Sequence, residues 1–385
     1  MRRTRWVPRV FGVLAVLGAL LLVACAPAVA PPAPTPTAKP AAAAPTPTAA
    51  AAPTVKPAAP TTAPATPTPQ PVKLKVGGLG TLADVGNFVA YKKGYFKEQG
   101  IDVEFVTFDS GAKMIAPLGT GELDVGRGAI SVGLFNAILR GIDIKAVGDA
   151  NTTSPALVAK DYAAAVVRKD LAGEIKSEKD LRGRKIAIPA LGIGVEQEID
   201  RLLATGGLTR KDIDFQGLGM PDGVAALAGK SLDVFVGLGE PFLTQALERG
   251  AAVYWKSFSE IYPNHTVSVL MYPGKFTKEK PEVARRFAVA YVKGLRDYYD
   301  AFFKNKNRGD IVAILTEMTT VKDPAIYDKV APLYVNPDGY VNTDSVTSDI
   351  NYFTQNKQIE SGLDISKVVD NSFMEYAVQR LGKYQ

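Results

Sequence analysis

Apolar and polar positions along this chain fall into two alternating rhythms. Short apolar, β-branched runs take turns with stretches in which apolar residues recur every three or four positions. The first rhythm predicts strands and the second predicts amphipathic helices. In order, the strand Leu74–Leu79 leads to a helix over Val85–Gln99, stopped by Gly100. The strand Ile101–Phe108 leads to the helix Ala112–Leu118, and Leu123–Gly126 to the helix Val132–Arg140, stopped by Gly141. Ile142–Asp149 closes this first run. A second run repeats the order: strand Lys185–Pro189, helix Val195–Ala204, strand Asp212–Leu218, helix Gly223–Ala228, strand Leu232–Val236, helix Pro241–Glu248, strand Ala252–Lys256. Strands alternating with helices argue for α/β units built on mostly parallel sheets.

One piece of the repeat is visible residue by residue. Ile115-Ala116-Pro117-Leu118 runs to Gly121 and then Leu123-Asp124-Val125; Val224-Ala225-Ala226-Leu227 runs to Gly229 and then Leu232-Asp233-Val234. Both read as a short helix, a glycine that ends it, and a buried strand. Two copies of one unit predict two lobes. Ala164–Arg168 and Thr266–Leu270 lie between and after the copies and are expected to be the two hinge crossings. Residues 73–165 and 268–385 would form lobe 1, and 166–267 lobe 2. The long pattern from Glu282 to about Phe303 buries one face through Val283, Phe287, Ala290, Tyr291 and Leu295. Further helices are expected at Arg308–Met318, Asp323–Leu333, Thr343–Asn356 and Ser372–Leu381, wrapping back on lobe 1 with their aromatic residues in its core.

The first residues bear on the compartment. Arg2, Arg3, Arg5 and Arg9 precede an apolar run from Val10 to Val23, too short for a comfortable membrane span and laid out like a secretory signal over residues 1–24. The closing Leu22-Val23-Ala24-Cys25 resembles the lipobox of bacterial lipoproteins. That resemblance implies a lipid on Cys25, which would tie the chain to the outer face of the cell membrane. Cys25 is the only cysteine, so the mature chain has no thiol left for a disulfide, a metal or a nucleophile. Of the formal charge of +6, the four signal arginines carry four, leaving the mature chain near +2. That balance gives no warrant for nucleic-acid binding. Residues 25–72 hold more than half of the 27 prolines, among alanine and threonine. Such a segment is expected to remain an unpacked tether, reaching on the order of 140 Å at about 3.1 Å per residue.

Several blocks resemble one family. Val89-Ala90-Tyr91 through Lys93-Gly94-Tyr95-Phe96 to Gly100-Ile101-Asp102-Val103 is similar to its early helix-to-strand signature. Gly121-Glu122-Leu123-Asp124-Val125-Gly126 is similar to its next block, and Asp180-Leu181-Arg182-Gly183-Arg184-Lys185-Ile186 to the opening of its second lobe. The stretch from Asp222 to Asp233 with Glu240-Pro241, and then Pro281-Glu282-Val283 leading to Lys293-Gly294-Leu295, complete the resemblance. The family is the ABC-importer binding proteins for nitrate, sulfonates, taurine and thiamine-pyrimidine precursors. The resemblance implies a two-lobed periplasmic-binding-protein fold (type II) that closes on a small-molecule ligand. It further implies docking on an ABC permease with its ATPase, a monomeric state, no cofactor and no catalysis.

In α/β sheets, ligands collect beyond the carboxyl ends of the strands. This rule selects Thr81, Leu82, Ala83 and Asp84 after the first strand and Asp109, Ser110 and Gly111 after the second. Arg127, Ala129 and Ser131 follow the third, and Asn151 the fourth. In the second run it selects Gly192, Ile193, Gly194 and Val195, then Gly219 with Met220, then the Gly237–Glu240 loop with Glu240 itself. Tyr262 and His265 stand beside the second crossing as wall candidates. Arg127 would suit an anionic group; Asp84 and Asp109 would accept from a ligand amine or cap helices; the glycines would bring backbone N–H groups to a ligand or make turns. A small organic anion and a pyrimidine precursor fit these residues equally. Two other readings remain. A ligand-sensing lipoprotein without transport would share the fold. A hydrolase would need Ser131 at a strand-to-helix turn and His265 across the hinge, but the flanking residues miss the first glycine of a nucleophile elbow. With one histidine, no metal site is expected.

Overall fold

The computed structural model describes residues 71–385. The expected signal segment, Cys25 and nearly all of the expected tether lie outside the described residues. Among the described residues, no helix is long and apolar enough to cross a membrane.

The first sheet starts where alternation is cleanest. In β1 (Val72–Gly78), Leu74 and Val76 turn inward while Lys73 and Lys75 face out. It pairs in parallel with β2 (Ile101–Thr107), whose Ile101 and Val103 are buried between exposed Asp102 and Glu104. Between these strands lie α1 (Val85–Lys92) and α2 (Tyr95–Glu98). The single helix expected over 85–99 is therefore two helices. Gly94 sits at φ +80°, a left-handed conformation that breaks the helical ladder. Then come α3 (Ala112–Thr120), β3 (Val125–Ala129), α4 (Val132–Leu139) and β4 (Ile144–Thr152).

The second unit runs β5 (Ala163–Arg168), β6 (Lys185–Ile188), α5 (Val195–Thr205), β7 (Asp214–Gly217), α6 (Met220–Ala228), β8 (Val234–Gly239), α7 (Phe242–Glu248) and β9 (Ala252–Ser257). After α8 (Phe258–Ile261), the chain returns through β10 (Thr266–Pro273). The two sheets have the orders β2-β1-β3-β10-β4 and β7-β6-β8-β5-β9. Each order holds four strands of one run plus one antiparallel strand in fourth place.

The repeated Leu-Asp-Val has a structural reason. The Asp124 carboxylate accepts from the Lys75 N–H at 2.9 Å while its own N–H donates to the Lys75 carbonyl. Asp233 does the same with Lys185, also at 2.9 Å. In each lobe this aspartate clamps the entry of the third strand of the run to the first, at mid-strand on Lys75 and at the strand's start on Lys185.

Sheet membership corrects the expected crossings. The strand Ala163–Arg168 belongs wholly to the second sheet and Thr266–Pro273 wholly to the first. The boundaries expected at 165 and 267 therefore fall inside strands, because these short apolar runs pair within the sheets rather than linking them. The connections are residues 153–162 and 258–265, and they are stitched together. The Thr153 hydroxyl donates to the Tyr262 carbonyl at 2.5 Å and accepts from the His265 N–H at 2.8 Å. Asp161 accepts from the Ser259 N–H at 2.8 Å.

The C-terminal part packs on lobe 1. It comprises α9 (Gly274–Glu279), α10 (Pro281–Phe303), α11 (Arg308–Met318), α12 (Ile326–Lys329), α13 (Thr343–Gln355) and α14 (Ser372–Leu381). The helix α10 crosses α1 at bare backbone: a Cβ on Gly294 would run into the Gly86 carbonyl oxygen, and one on Gly86 would strike Tyr291. Tyr298, Tyr327, Phe353 and Phe373 are buried, as expected for core aromatics. The helix expected over 323–333 shrinks to α12. Pro332 disfavours helix at the residue before it, and Val330, Leu333 and Val335 are buried from an extended segment instead.

Candidate ligand-binding cleft

The loops beyond the strand ends of the two lobes meet. The Val132 N–H donates to the Gly192 carbonyl at 2.9 Å, and Ser131 pairs with Ile193 in an isolated antiparallel bridge. These contacts join the lobes across the cleft, beside the two connections.

Behind them lies a cavity of about 120 Å³. Lobe 1 contributes Asn151 and Val267, and the first connection contributes Thr153, Asp161 and Tyr162. Lobe 2 supplies an apolar wall of Pro189, Ile193, Val195 and Met220, with Gly237 and Gly239, and Phe258 joins that wall from the second connection. A Cβ on Gly237, which has φ +89°, would press on Phe258 and Val195, so glycine there keeps the space open. The Asp161 carboxylate is raised above its usual range by burial, offset in part by its bonds to Ser259. Burial pushes the Tyr162 phenol up to about 12.

Of the residues selected from the sequence, Asn151, Ile193 and Val195 line this cavity; Met220, Gly237 and Gly239 come from selected loops. Arg127 does not offer a free charge. Its Nε donates to Asp84 Oδ1 at 2.9 Å, and its Nη2 to Asp84 Oδ2 at 3.1 Å and Thr81 Oγ1 at 2.8 Å, all largely buried. Asp84 also accepts from the N–H groups of Leu79 and Thr81 at 3.1 and 3.0 Å. The expected anion anchor is thus neutralised by the expected amine acceptor. Leu82 and Ala83 are packed in the lobe 1 core. Asp109 is exposed and paired with Lys113, away from the cavity. Neither it nor its neighbour Ser110 lines the cavity, and Gly111 packs against the backbone of Gly128. Ala129 ends β3, and the Ser131 hydroxyl caps α4 by accepting from the Leu134 N–H. Gly219 precedes α6 without reaching the cavity, and Glu240 binds the Thr244 N–H and hydroxyl, both at 3.0 Å, within α7.

Tyr262 stacks on His265 at 4.4 Å, with the Arg201 guanidinium 3.7 Å from its ring centre, outside the cavity lining. Gly192 supplies the interlobe carbonyl, and Gly194 packs against the His265 ring. His265 is fully buried between two carboxylates: Nδ1 lies 2.7 Å from Glu198 of α5, and Nε2 lies 3.1 Å from Asp349 of α13. Burial by itself would lower its pKa. Asp349, and then Glu198, outweigh that and hold it well above 6.5. Glu198 is itself raised by burial. Asp161, Tyr162, Phe258 and Pro189 were missed as cavity residues because they sit at strand edges and in the connections. The only signal was the aromatic and acidic pair placed directly before the strand at 163.

Residues 66–316 match the family model described as NMT1-like. The chain belongs to the NMT1-like family. Over 312 residues it is 25% identical to a Bacillus subtilis protein named for binding aliphatic sulfonates, covering 76% of this chain and 84% of that protein. Solved structures of other proteins share the fold. The ligand-binding component of an ABC-type import system from Staphylococcus aureus gives a TM-score of 0.65 at 15% identity, covering 80% of this chain and 99% of that one. The periplasmic nitrate-binding protein NrtA of Synechocystis PCC 6803 gives 0.64 at 15%, covering 81% and 90%. The same two-lobed fold also carries an enzyme: the desulfurization enzyme DSZB gives 0.59 at 12% identity, covering 80% and 99%. Family and architecture thus agree with the resemblance read from the sequence blocks.

Proposed function

We propose that this chain is the extracytoplasmic solute-capturing component of an ABC importer. It would be lipidated at Cys25, act as a monomer, and deliver a small solute to a permease driven by its ATPase. The observation that carries this reading is the cavity at the junction of two sheets of identical strand order, lined from both lobes and from both connections. A solute held there touches both halves, and only such two-sided contact lets binding favour the closed form. The names of the sulfonate-binding and nitrate-binding proteins to which the chain is similar support sulfonate- or nitrate-type anions as one class of solute; taurine and pyrimidine precursors are the classes that the resemblance of the sequence blocks adds.

A thermal-shift screen over these classes, paired with small-angle scattering, tests the reading. One class should raise the melting temperature by the mass-action term, and the same compound should shrink the radius of gyration. Stabilisation with unchanged dimensions would contradict capture by closure.

Catalysis by the hydrolase route has little support in the geometry. Both ring nitrogens of His265 are taken by carboxylates, and Ser131 is occupied as a helix cap. A sensing lipoprotein would show the same closure, and solute uptake by cells lacking the chain separates the two: import fails only if the chain feeds a permease.

A further inference from the structure

The chemistry of the cavity narrows the solute. Among the described residues that line it, none is lysine, arginine or histidine. The one charged lining residue is Asp161, held in place by Ser259. The arginine nearest in role, Arg127, is held by Asp84 through two nitrogens, so the pair presents no net positive charge. Beyond the lining, Glu240 adds a further buried acid, whereas Glu198 and His265 hold each other. An anion entering this space would lose its water and gain no counter-charge, an expensive exchange in a low-dielectric interior.

The polar groups left over have a different character. The Tyr162 hydroxyl makes no hydrogen bond to any described residue, nor does the Asn151 side-chain amide, and both residues line the cavity. A phenol and a primary amide each donate and accept. The Asp161 carboxylate only accepts. Together they match a solute bearing N–H or O–H donors and at least one acceptor, with no formal negative charge. Opposite them, Ile193, Val195, Met220 and Phe258 offer a dry wall suited to a flat apolar body. The size also restricts the solute. An apolar cavity of roughly 150 Å³ holds one benzene ring, so about 120 Å³ suits a single small ring or its equivalent.

We propose that the interlobe cavity selects an uncharged, single-ring-sized solute that carries hydrogen-bond donors, and discriminates against sulfonate- and nitrate-type anions. This rests on the solute-capture reading and departs from the solutes for which the relatives are named. Tyr162 and Asn151 are the specificity-determining residues, and lobe closure lays the wall at Ile193 over the bound ring.

The test uses pairs of compounds matched in shape and differing in charge: nicotinamide with nicotinate, benzamide with benzoate, ethanesulfonamide with ethanesulfonate. They are titrated into the full chain by calorimetry and thermal shift. The neutral member of at least one pair is expected to bind at least about tenfold more tightly than its anion, the equivalent of one polar contact plus the missing counter-charge. Tyr162→Phe should weaken that neutral ligand severalfold and leave the melting temperature of the free protein unchanged. Met220→Lys should reverse the preference within the same pair. Equal or tighter binding of the anions overturns the neutral-solute assignment while leaving solute capture standing. If neither members of these pairs nor nitrate and taurine bind, both the assignment and the capture reading fall.

Discussion

At the scale of single residues, the structure turns two ligand candidates into each other's partners. Asp84 and Arg127 stand 43 positions apart, and each alone has the chemistry to hold a solute. Their bidentate pair is buried instead, so it orders the loop after β1 against β3. Removing one partner leaves the other charge stranded. Asp84→Ala is expected to cost about 3–5 kcal/mol. The double change with Arg127→Met should cost less than the sum of the singles by more than about 1 kcal/mol. Urea unfolding of the four proteins measures both. Residue types at strand ends were legible from the sequence, and Asn151, Ile193 and Val195 among them line the interlobe cavity. Which of them remain free for a ligand was not, because charge pairing is decided by tertiary neighbours. His265 shows the same limit: its two carboxylates come from α5 and α13, and nothing local marks either.

His265 also carries a pH signature. Glu198 and Asp349 face it directly, with Arg201 beyond the Tyr262 ring. Its folded pKa lies well above 6.5, so the native state holds a proton that the unfolded chain releases. This stabilisation is fully present below pH 6.5 and is lost as pH rises through the folded value. Glu198, also raised, adds a loss of the same sign that begins at lower pH, near its ordinary value of 4.5. Denaturation across the neutral-to-alkaline range should therefore show stability falling with pH, and a flatter profile in His265→Asn. A variant as steep as the parent would remove His265 as the source.

At the scale of elements, what was legible followed local rules. The helices Arg308–Met318 and Ser372–Leu381 appear at their expected bounds, because apolar spacing and flanking polar residues agree there. The strand ends shifted by up to three residues, since a run of apolar residues does not mark where pairing stops. The stretch 323–333 misled because its buried residues fit either an extended or a helical backbone, and Pro332 decides for the former. The close crossing of α1 and α10 makes a sharper claim. Gly294→Ala would push a methyl into the Gly86 carbonyl and force the helices apart, at an expected cost of about 1–3 kcal/mol. Gly309→Ala, where a Cβ meets nothing within 4 Å, is the control and should be neutral or slightly stabilising. Thermal unfolding of the two variants distinguishes packing from propensity.

At the scale of the whole molecule, the contact between residues 131–132 and 192–193 joins the lobes where they meet. Cysteines at Ser131 and Ile193 should form a disulfide there, provided closure brings the two strands together. Oxidation in the presence of the solute is then expected to slow its release by more than about tenfold, a gain of about 1.4 kcal/mol. Unchanged release after verified cross-linking would show that the solute leaves by a route other than lobe opening.

The placement of Thr266–Pro273 between Val125–Ala129 and Ile144–Thr152 also imposes an order of assembly. All five strands of the inner half lie within residues 163–257, so that half needs nothing synthesised later to complete its ladder. The outer half, although translated first, waits with an open slot until the polypeptide has left the ribosome past residue 273. During that interval two unpaired ladders face solvent, and they are the surfaces on which neighbouring nascent chains would mispair.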